Sequence, residues 1–183
     1  ALTVDHTLFI DGNLNGDSNH EFYVKNQPVL AGMIAALSAS FGPVAEFEGL
    51  VGERMPGRSI VAVNSCTSGL MLALRALDVQ GEVILPSFTF TASAHAVVWA
   101  GCTPVFVDCE AGSHNIDLED VRKKITPRTA AILAVYVSGN PPQLEALVTV
   151  AEKHRLKPIL AAAHAMGSTY QGKPAGTFGD AEV

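Results

Sequence analysis

Asn64-Ser65-Cys66-Thr67-Ser68-Gly69 places hydroxyl and thiol groups directly ahead of an apolar helical stretch containing Leu70, Ala73, Leu74 and Leu77. The first amides of a helix lack intrahelical acceptors and sit at the positive end of its dipole, so such a start can cradle a phosphate. A plain Ser/Thr helix cap uses the same residues and stays open as the other reading. The segment matches neither the Walker A pattern nor GxGxxG, so P-loop and dinucleotide readings have no motif behind them. Downstream, Pro86-Ser87-Phe88-Thr89-Phe90-Thr91 sets two aromatics after an apolar run. One of them could lie against a planar ring, a contact worth about 0.5–1.5 kcal/mol beyond area burial, while a core position is expected for Phe88. In Ala161-Ala162-Ala163-His164-Ala165-Met166-Gly167, small side chains surround one imidazole and leave room for it to face a ligand.

Other chemistries find little support. Cys66, Cys102 and Cys109 form an odd set without CxxC spacing, which suits a reducing compartment. The histidines at 6, 20, 95, 114 and 154 show no H-E-x-x-H or short paired spacing, so no metal site is expected and the plain reading is surface or satisfied core. The formal net charge is −6 and there is no dense Lys/Arg run, which argues against a nucleic-acid partner. No stretch approaches the ~18 apolar residues of a spanning helix, and Asp5 falls where a signal peptide would be basic. The expectation is a soluble cytoplasmic protein without membrane association.

The elements that must position these residues follow from periodicity. At 183 residues with 48% hydrophobic content, one globular unit is expected. Residues 1–27 carry Asp11-Gly12 and Asn15-Gly16 turn signals without a sustained apolar period and read as an arm or loop. From Pro28 the pattern is helical over Val29–Leu37 and again, after Gly42-Pro43, at Val44, Phe47, Leu50 and Val51. Strand-length runs then appear at 59–63, 82–85, 104–107, 131–137 and 158–160, separated by helical segments at 67–77, 89–100, 118–124 and 143–154. This alternation predicts an α/β fold, a mostly parallel sheet with helices on both faces, because parallel neighbours need crossovers. Ligands in such sheets sit beyond the carboxyl ends of the strands, which is where the three motifs fall.

Taken together, the motifs resemble the DegT/DnrJ/StrS family of pyridoxal-phosphate-dependent nucleotide-sugar aminotransferases. The resemblance is carried by Asn64-Ser65-Cys66-Thr67-Ser68, Pro86-Ser87-Phe88-Thr89-Phe90, Gly101-Cys102-Thr103-Pro104-Val105-Phe106-Val107-Asp108, Asn115-Ile116-Asp117 and Ile125-Thr126-Pro127-Arg128-Thr129. It continues through Gly139-Asn140-Pro141, Ala162-Ala163-His164-Ala165 and Gly176-Thr177-Phe178-Gly179-Asp180. One motif would be weak; the whole set in order and spacing is specific.

The resemblance implies that residues 28–183 form the large domain of a fold-type-I aminotransferase, truncated before the small carboxyl-terminal domain. It implies pyridoxal 5′-phosphate as cofactor, a homodimer or higher oligomer, and transfer of an amino group from an amino acid, usually glutamate, to a nucleotide-linked keto-sugar. By position, Thr67 and Ser68 would hold the cofactor phosphate beside Cys66, Phe90 would stack on the ring, and His164 would sit near the ring's other side or its hydroxyl. The family's Schiff-base lysine follows the Gly-Ser/Thr-Phe-Gly-Asp run, beyond Val183, so no catalytic lysine is expected among Lys25, Lys123, Lys124, Lys153, Lys157 or Lys173. Ala161 occupies the position of the family aspartate that pairs with the ring nitrogen, and losing that bond should forfeit about 1.5–3 kcal/mol of cofactor binding. Cys66, Tyr136 and Ser138 stand where the family usually has glycine, histidine and an aromatic. Two expectations follow: the amino-terminal part of an aminotransferase, or a non-catalytic relative, either a truncated gene product or a subunit that supports an intact partner; weak cofactor binding is expected of the chain as it stands. The first-named residues should converge on one pocket.

Overall fold

The period-two alternation of apolar side chains is what divides this molecule into two layers. Val83 and Leu85 with Leu133, Ile159, Ala161, Ala181 and Val183 pack in one buried cluster, while Ile84, Ile132, Ala134 and Leu160 pack in another on the opposite face of the same strands. The computed structural model describes residues 7–11, 42–55 and 57–183; the helical reading over Val29–Leu37 lies outside them. The strands are β1 (Thr7–Asp11), β2 (Arg58–Ala62), β3 (Glu82–Pro86), β4 (Thr103–Val107), β5 (Thr129–Val135), β6 (Lys157–Ala161), β7 (Thr169–Tyr170), β8 (Lys173–Pro174) and β9 (Ala181–Glu182). The helices are α1 (Gly42–Arg54), α2 (Cys66–Ala76), α3 (Thr91–Trp99), α4 (Leu118–Lys124) and α5 (Leu144–His154).

Seven strands form one sheet in the order β2-β1-β9-β6-β5-β3-β4, and β7-β8 form a separate small hairpin. The pairs β3–β4, β3–β5, β5–β6 and β6–β9 are parallel, as the β–α alternation predicts. β1 differs from expectation: part of the stretch read as an arm or loop pairs antiparallel with both β2 and β9. Thr7-Leu8-Phe9-Ile10-Asp11 is too short to show a period by itself, and its partners lie about fifty or more residues away, so only the assembled sheet discloses it.

Helices cover both faces. Leu70, Ala73 and Leu74 of α2 and Ala96 and Val97 of α3 pack on the Val83/Leu85 side, and Val121 of α4 and Leu144, Leu147 and Ala151 of α5 on the Ile84/Ile132 side. Local chemistry sets the helix ends. Asp117 caps α4 by accepting from the amides of Glu119 and Asp120, with acidic residues in the first turn and Arg122, Lys123 and Lys124 in the last. α3 stops at Ala100-Gly101, where Gly101 takes φ +85° and the Cys102 amide returns to the Val97 carbonyl at 3.0 Å.

The amino ends of β3 and β5 are stapled by ions. Glu82 accepts from Arg128 Nε (2.9 Å) and Nη2 (2.6 Å) through Oε1 and from the Thr126 hydroxyl (2.5 Å) through Oε2. Those bonds, Thr126 first, hold the Glu82 carboxyl below the usual range against the opposing effect of burial.

Candidate active site

At the carboxyl ends of the strands, the turn after β2 opens α2. Ser65 has extended backbone and its hydroxyl accepts from the Ser68 amide at 3.1 Å; the two hydroxyls lie 2.8 Å apart, and the Gly69 amide bonds the Ser65 carbonyl. Of the first-turn donors, this leaves the amides of Cys66 and Thr67 and the Thr67 hydroxyl for an anion. Ser68, read from the sequence as a phosphate ligand through amide and hydroxyl, has both engaged by Ser65, so it would serve only by exchanging that contact. The cap and the cradle are thus the same turn, with the two serines capping and Cys66-Thr67 open.

Cys66 is half-buried, and burial pushes its thiol up to about 11, so it stays protonated at neutral pH. Its Sγ points to the Val183 carbonyl at 3.8 Å, and the Ala162 amide donates to the same carbonyl at 2.5 Å. One backbone group therefore ties the start of α2 to the end of β6. Ala161 is the last residue of β6, buried on the α2 side, and its carbonyl accepts from the Tyr136 amide at 3.0 Å. The side chain at this position is a methyl group and offers no polar atom to a ligand.

His164 is exposed, on a turn closed by the Ala165 amide to the Ala162 carbonyl at 2.8 Å. Phe90 precedes α3 with its ring 79% exposed, available to a planar ligand rather than spent in the core. Phe88 overturns the expectation of a core position: it is also exposed and rests against His114, ring centroids 5.3 Å apart. The reason is local, since after Pro86 the chain turns outward and the Phe88 amide points to Cys109 Sγ at 3.4 Å. Among the described residues, ring contacts engage Phe88 but neither Phe90 nor His164. The structure brings Cys66, Thr67 and Ala161 together at one strand end and leaves Phe90 and His164 presented to solvent.

Sequence reasoning passed over a buried acid pair below this end. Glu182 of β9 points to the face opposite Ala161, where Oε2 accepts from the Phe178 amide at 3.2 Å. Glu182 Oε1 and the Tyr136 hydroxyl are both buried without a hydrogen-bond partner among the described residues. Desolvation is the first cause that raises both groups; the nearby Glu182 charge pushes the phenol up further, while the Gly176 and Phe178 amides and the Arg58 charge pull the carboxyl back. A lone acid between Ala181 and Val183 was the available signal. The described residues contain no cluster of three or more His, Cys, Asp or Glu suited to a metal, and no helix long and apolar enough to cross a membrane. An open cleft of about 370 Å³ lies at the other end of the sheet, lined by Glu152, Arg155, Lys157 and Asp180 among others, with Lys157 and Asp180 paired at 3.3 Å.

The model of the DegT/DnrJ/EryC1/StrS aminotransferase family matches residues 34–183. The chain belongs to this family. Among curated relatives, dTDP-4-amino-4,6-dideoxy-D-glucose transaminase of Escherichia coli is 40% identical over 127 residues, 69% of this chain and 34% of that protein. GDP-perosamine synthase of Caulobacter vibrioides is 39% identical over 139 residues, 75% of this chain and 38% of that protein. Among solved structures, DesI in the presence of its TDP-sugar product superposes with a TM-score of 0.74 at 42% identity, over 81% of this chain and 39% of that one. The chain spans a little over a third of the length of these family members. The fold is accordingly the mostly parallel, helix-flanked α/β sheet of fold-type-I aminotransferases, represented here in part.

Proposed function

We propose that this chain forms the cofactor-binding portion of a pyridoxal-phosphate-dependent aminotransferase that moves an amino group from an amino acid, glutamate by preference, to a nucleotide-linked keto-sugar. The single observation that carries the reading is the junction of the open first turn of α2 with the end of β6 through the Val183 carbonyl. The Cys66 and Thr67 amides and the Thr67 hydroxyl would hold the cofactor phosphate at the positive end of the helix dipole, with Ala161 at the neighbouring strand end. When bound, pyridoxal phosphate supplies an electron sink for amino-group chemistry. The chain's own part is to hold the phosphate, to cover one ring face with Phe90 and to offer the His164 imidazole as a hydrogen-bonding group at the ring. The phosphate end fits the group; the ring-nitrogen end does not, because the Ala161 methyl cannot accept a hydrogen bond from a protonated ring nitrogen.

Ala161 also favours a second reading, a non-catalytic relative that supports an intact partner. One substitution tests the assignment on which both rest. Pyridoxal phosphate titrated into the chain, followed by absorbance, is expected to bind weakly and be removed by dialysis, and Thr67→Ala to weaken it further. Ala161→Asp is expected to tighten binding at least tenfold, about the lower end of a charge-assisted bond. Saturable binding that ignores Thr67 would contradict the site; an unchanged affinity in Ala161→Asp would contradict the placement of the ring nitrogen and remove the support that Ala161 gives the second reading.

A homodimer or higher oligomer fits the exposed Leu72, Val98, Trp99 and Phe106, apolar area a lone chain would leave in water. A monomer in sedimentation at micromolar concentration would oppose it. We place the protein in the cytoplasm, a reading supported by three free cysteines.

A further inference from the structure

We propose that Asn115 is a positioning residue for His164, acting through the turn that follows β5. Asn115 sits between β4 and α4, 2% exposed, and uses both ends of its amide. Nδ2 donates to the carbonyls of Asn140 (3.3 Å) and Pro141 (3.1 Å), and Oδ1 accepts from the Val137 amide (3.3 Å). Asparagine is suited to this because one short side chain carries donors and an acceptor together. Its own backbone is fixed, the carbonyl by the Glu110 amide at 2.9 Å and the amide by the Ser113 hydroxyl at 3.2 Å. The clamp is therefore anchored on one loop and grips another.

What it grips is a tight reversal. The Asn140 amide bonds the Val137 carbonyl at 2.9 Å, with Ser138 and Gly139 both left-handed at φ +53° and +79°. Ser138, not a glycine, holds that conformation at a cost, and Asn115 supplies bonds on both flanks of it. Gly139 in turn lies against the next segment: a Cβ there would stand 2.7 Å from the His164 carbonyl, and the Ser168 hydroxyl donates to the Gly139 carbonyl at 2.9 Å. Contact runs from Asn115 to the 137–141 turn and from that turn to the backbone of His164, whose imidazole is otherwise exposed and without a ring contact. The placement of His164 is then set by Asn115, from outside the site. The consequence for cofactor binding rests on the function proposed above.

The test measures His164 first and the cofactor second. In Asn115→Ala, the backbone amide resonances of 164–168 and the imidazole resonances of His164 are expected to shift, with or without cofactor. Pyridoxal phosphate affinity is expected to fall about tenfold, the scale of one lost hydrogen bond between fixed groups. Asn115→Asp, which keeps the acceptor for Val137 but turns an oxygen on the Asn140 and Pro141 carbonyls, should lose at least as much. Gly139→Ala, which leaves Asn115 untouched and presses on the His164 carbonyl, should shift the same resonances and tests the step from the turn to His164; Asn115→Ser carries the test of Asn115 if Asn115→Ala does not fold. In a His164→Ala background, Asn115→Ala should change cofactor affinity by less than about twofold, the behaviour of coupled sites. Unchanged 164–168 resonances would overturn the proposal outright. An affinity loss of full size in the His164→Ala background would also overturn it, by showing that Asn115 acts on stability or another residue. If the unmodified chain binds no pyridoxal phosphate, the cofactor reading fails while the resonances still decide whether Asn115 positions His164.

Discussion

Two buried glutamates at opposite ends of the sheet have opposite fates. Glu82, at the amino end of β3, has both oxygens occupied by Arg128 and Thr126, and its carboxyl is held low. Glu182, near the carboxyl end of β9, shares its burial with Tyr136, keeps one oxygen unpartnered, and its carboxyl is pushed up. The same residue type thus works as a staple where partners converge and as a buried, proton-favouring group where they do not. Polar groups at the amino end are spent on holding strands, whereas at the carboxyl end the Cys66 and Thr67 amides, Phe90 and His164 remain available to a ligand. That division is what a binding site grafted on one end of an α/β sheet requires.

The largest stability effect should come from breaking the staple. Arg128→Ala leaves the Glu82 carboxylate without its cation, and a fall in melting temperature larger than for the α2-turn substitutions below is expected by calorimetry. Cofactor affinity should not follow, since the staple lies at the far end of the sheet. Equal losses in stability and affinity would dissolve the distinction between the two ends.

Next is Ala161→Asp, which should act in both directions. Without cofactor, a carboxylate placed among Ile159, Ala181 and Val183 lacks a partner and should lower stability by roughly 1–3 kcal/mol. With pyridoxal phosphate the same group should add about 1.5–3 kcal/mol of binding. Thermal melts with and without cofactor read both signs.

The two glutamates also predict opposite pH dependences. Glu82 has a folded-state pKa below its unfolded one, so it contributes stability that is present above the ordinary carboxylate range and lost as pH falls through the lowered value. Glu182 has a raised pKa, so its contribution is complete below the ordinary carboxylate range and lost as pH rises toward the raised value. Urea melts from pH 3 to pH 8 should show Glu82→Gln flattening the acid limb. Glu182→Gln should stabilise the chain at neutral pH by about 1 kcal/mol and remove the loss on the alkaline side. The same slope in both variants would erase the contrast.

Smallest is the division of labour inside the α2 turn. Ser65→Ala should cost about 1 kcal/mol of stability as a lost cap. Thr67→Ala should leave stability nearly unchanged and weaken cofactor binding several-fold. The reverse pattern would exchange the roles of cap and cradle.

The alternation from β2 to β6 was legible because each element carries its own period: Val83/Leu85 against Ile84, and Leu144, Leu147 and Ala151 on one helical stripe. The hydroxyl-rich start of α2 was legible for the same reason, since capping chemistry is local. What could not be read depends on distant partners. β1 is recognisable only by β2 and β9, Glu82 only by Arg128 forty-six residues on, and the role of Asn115 only by the 137–141 turn. Phe88 was misplaced because a phenylalanine after a buried strand looks apolar in sequence whichever way the following turn directs it.

The central claim is that the carboxyl end of this sheet, and not the open cleft at its amino end, receives the cofactor. Backbone amide spectra recorded through a pyridoxal phosphate titration test it most directly. Saturable shifts centred on Cys66, Thr67, Ala162 and His164, moved to several-fold higher cofactor concentration by Thr67→Ala, are the predicted result. Shifts centred on Arg155 and Lys157 in the cleft, or none that saturate, would contradict it.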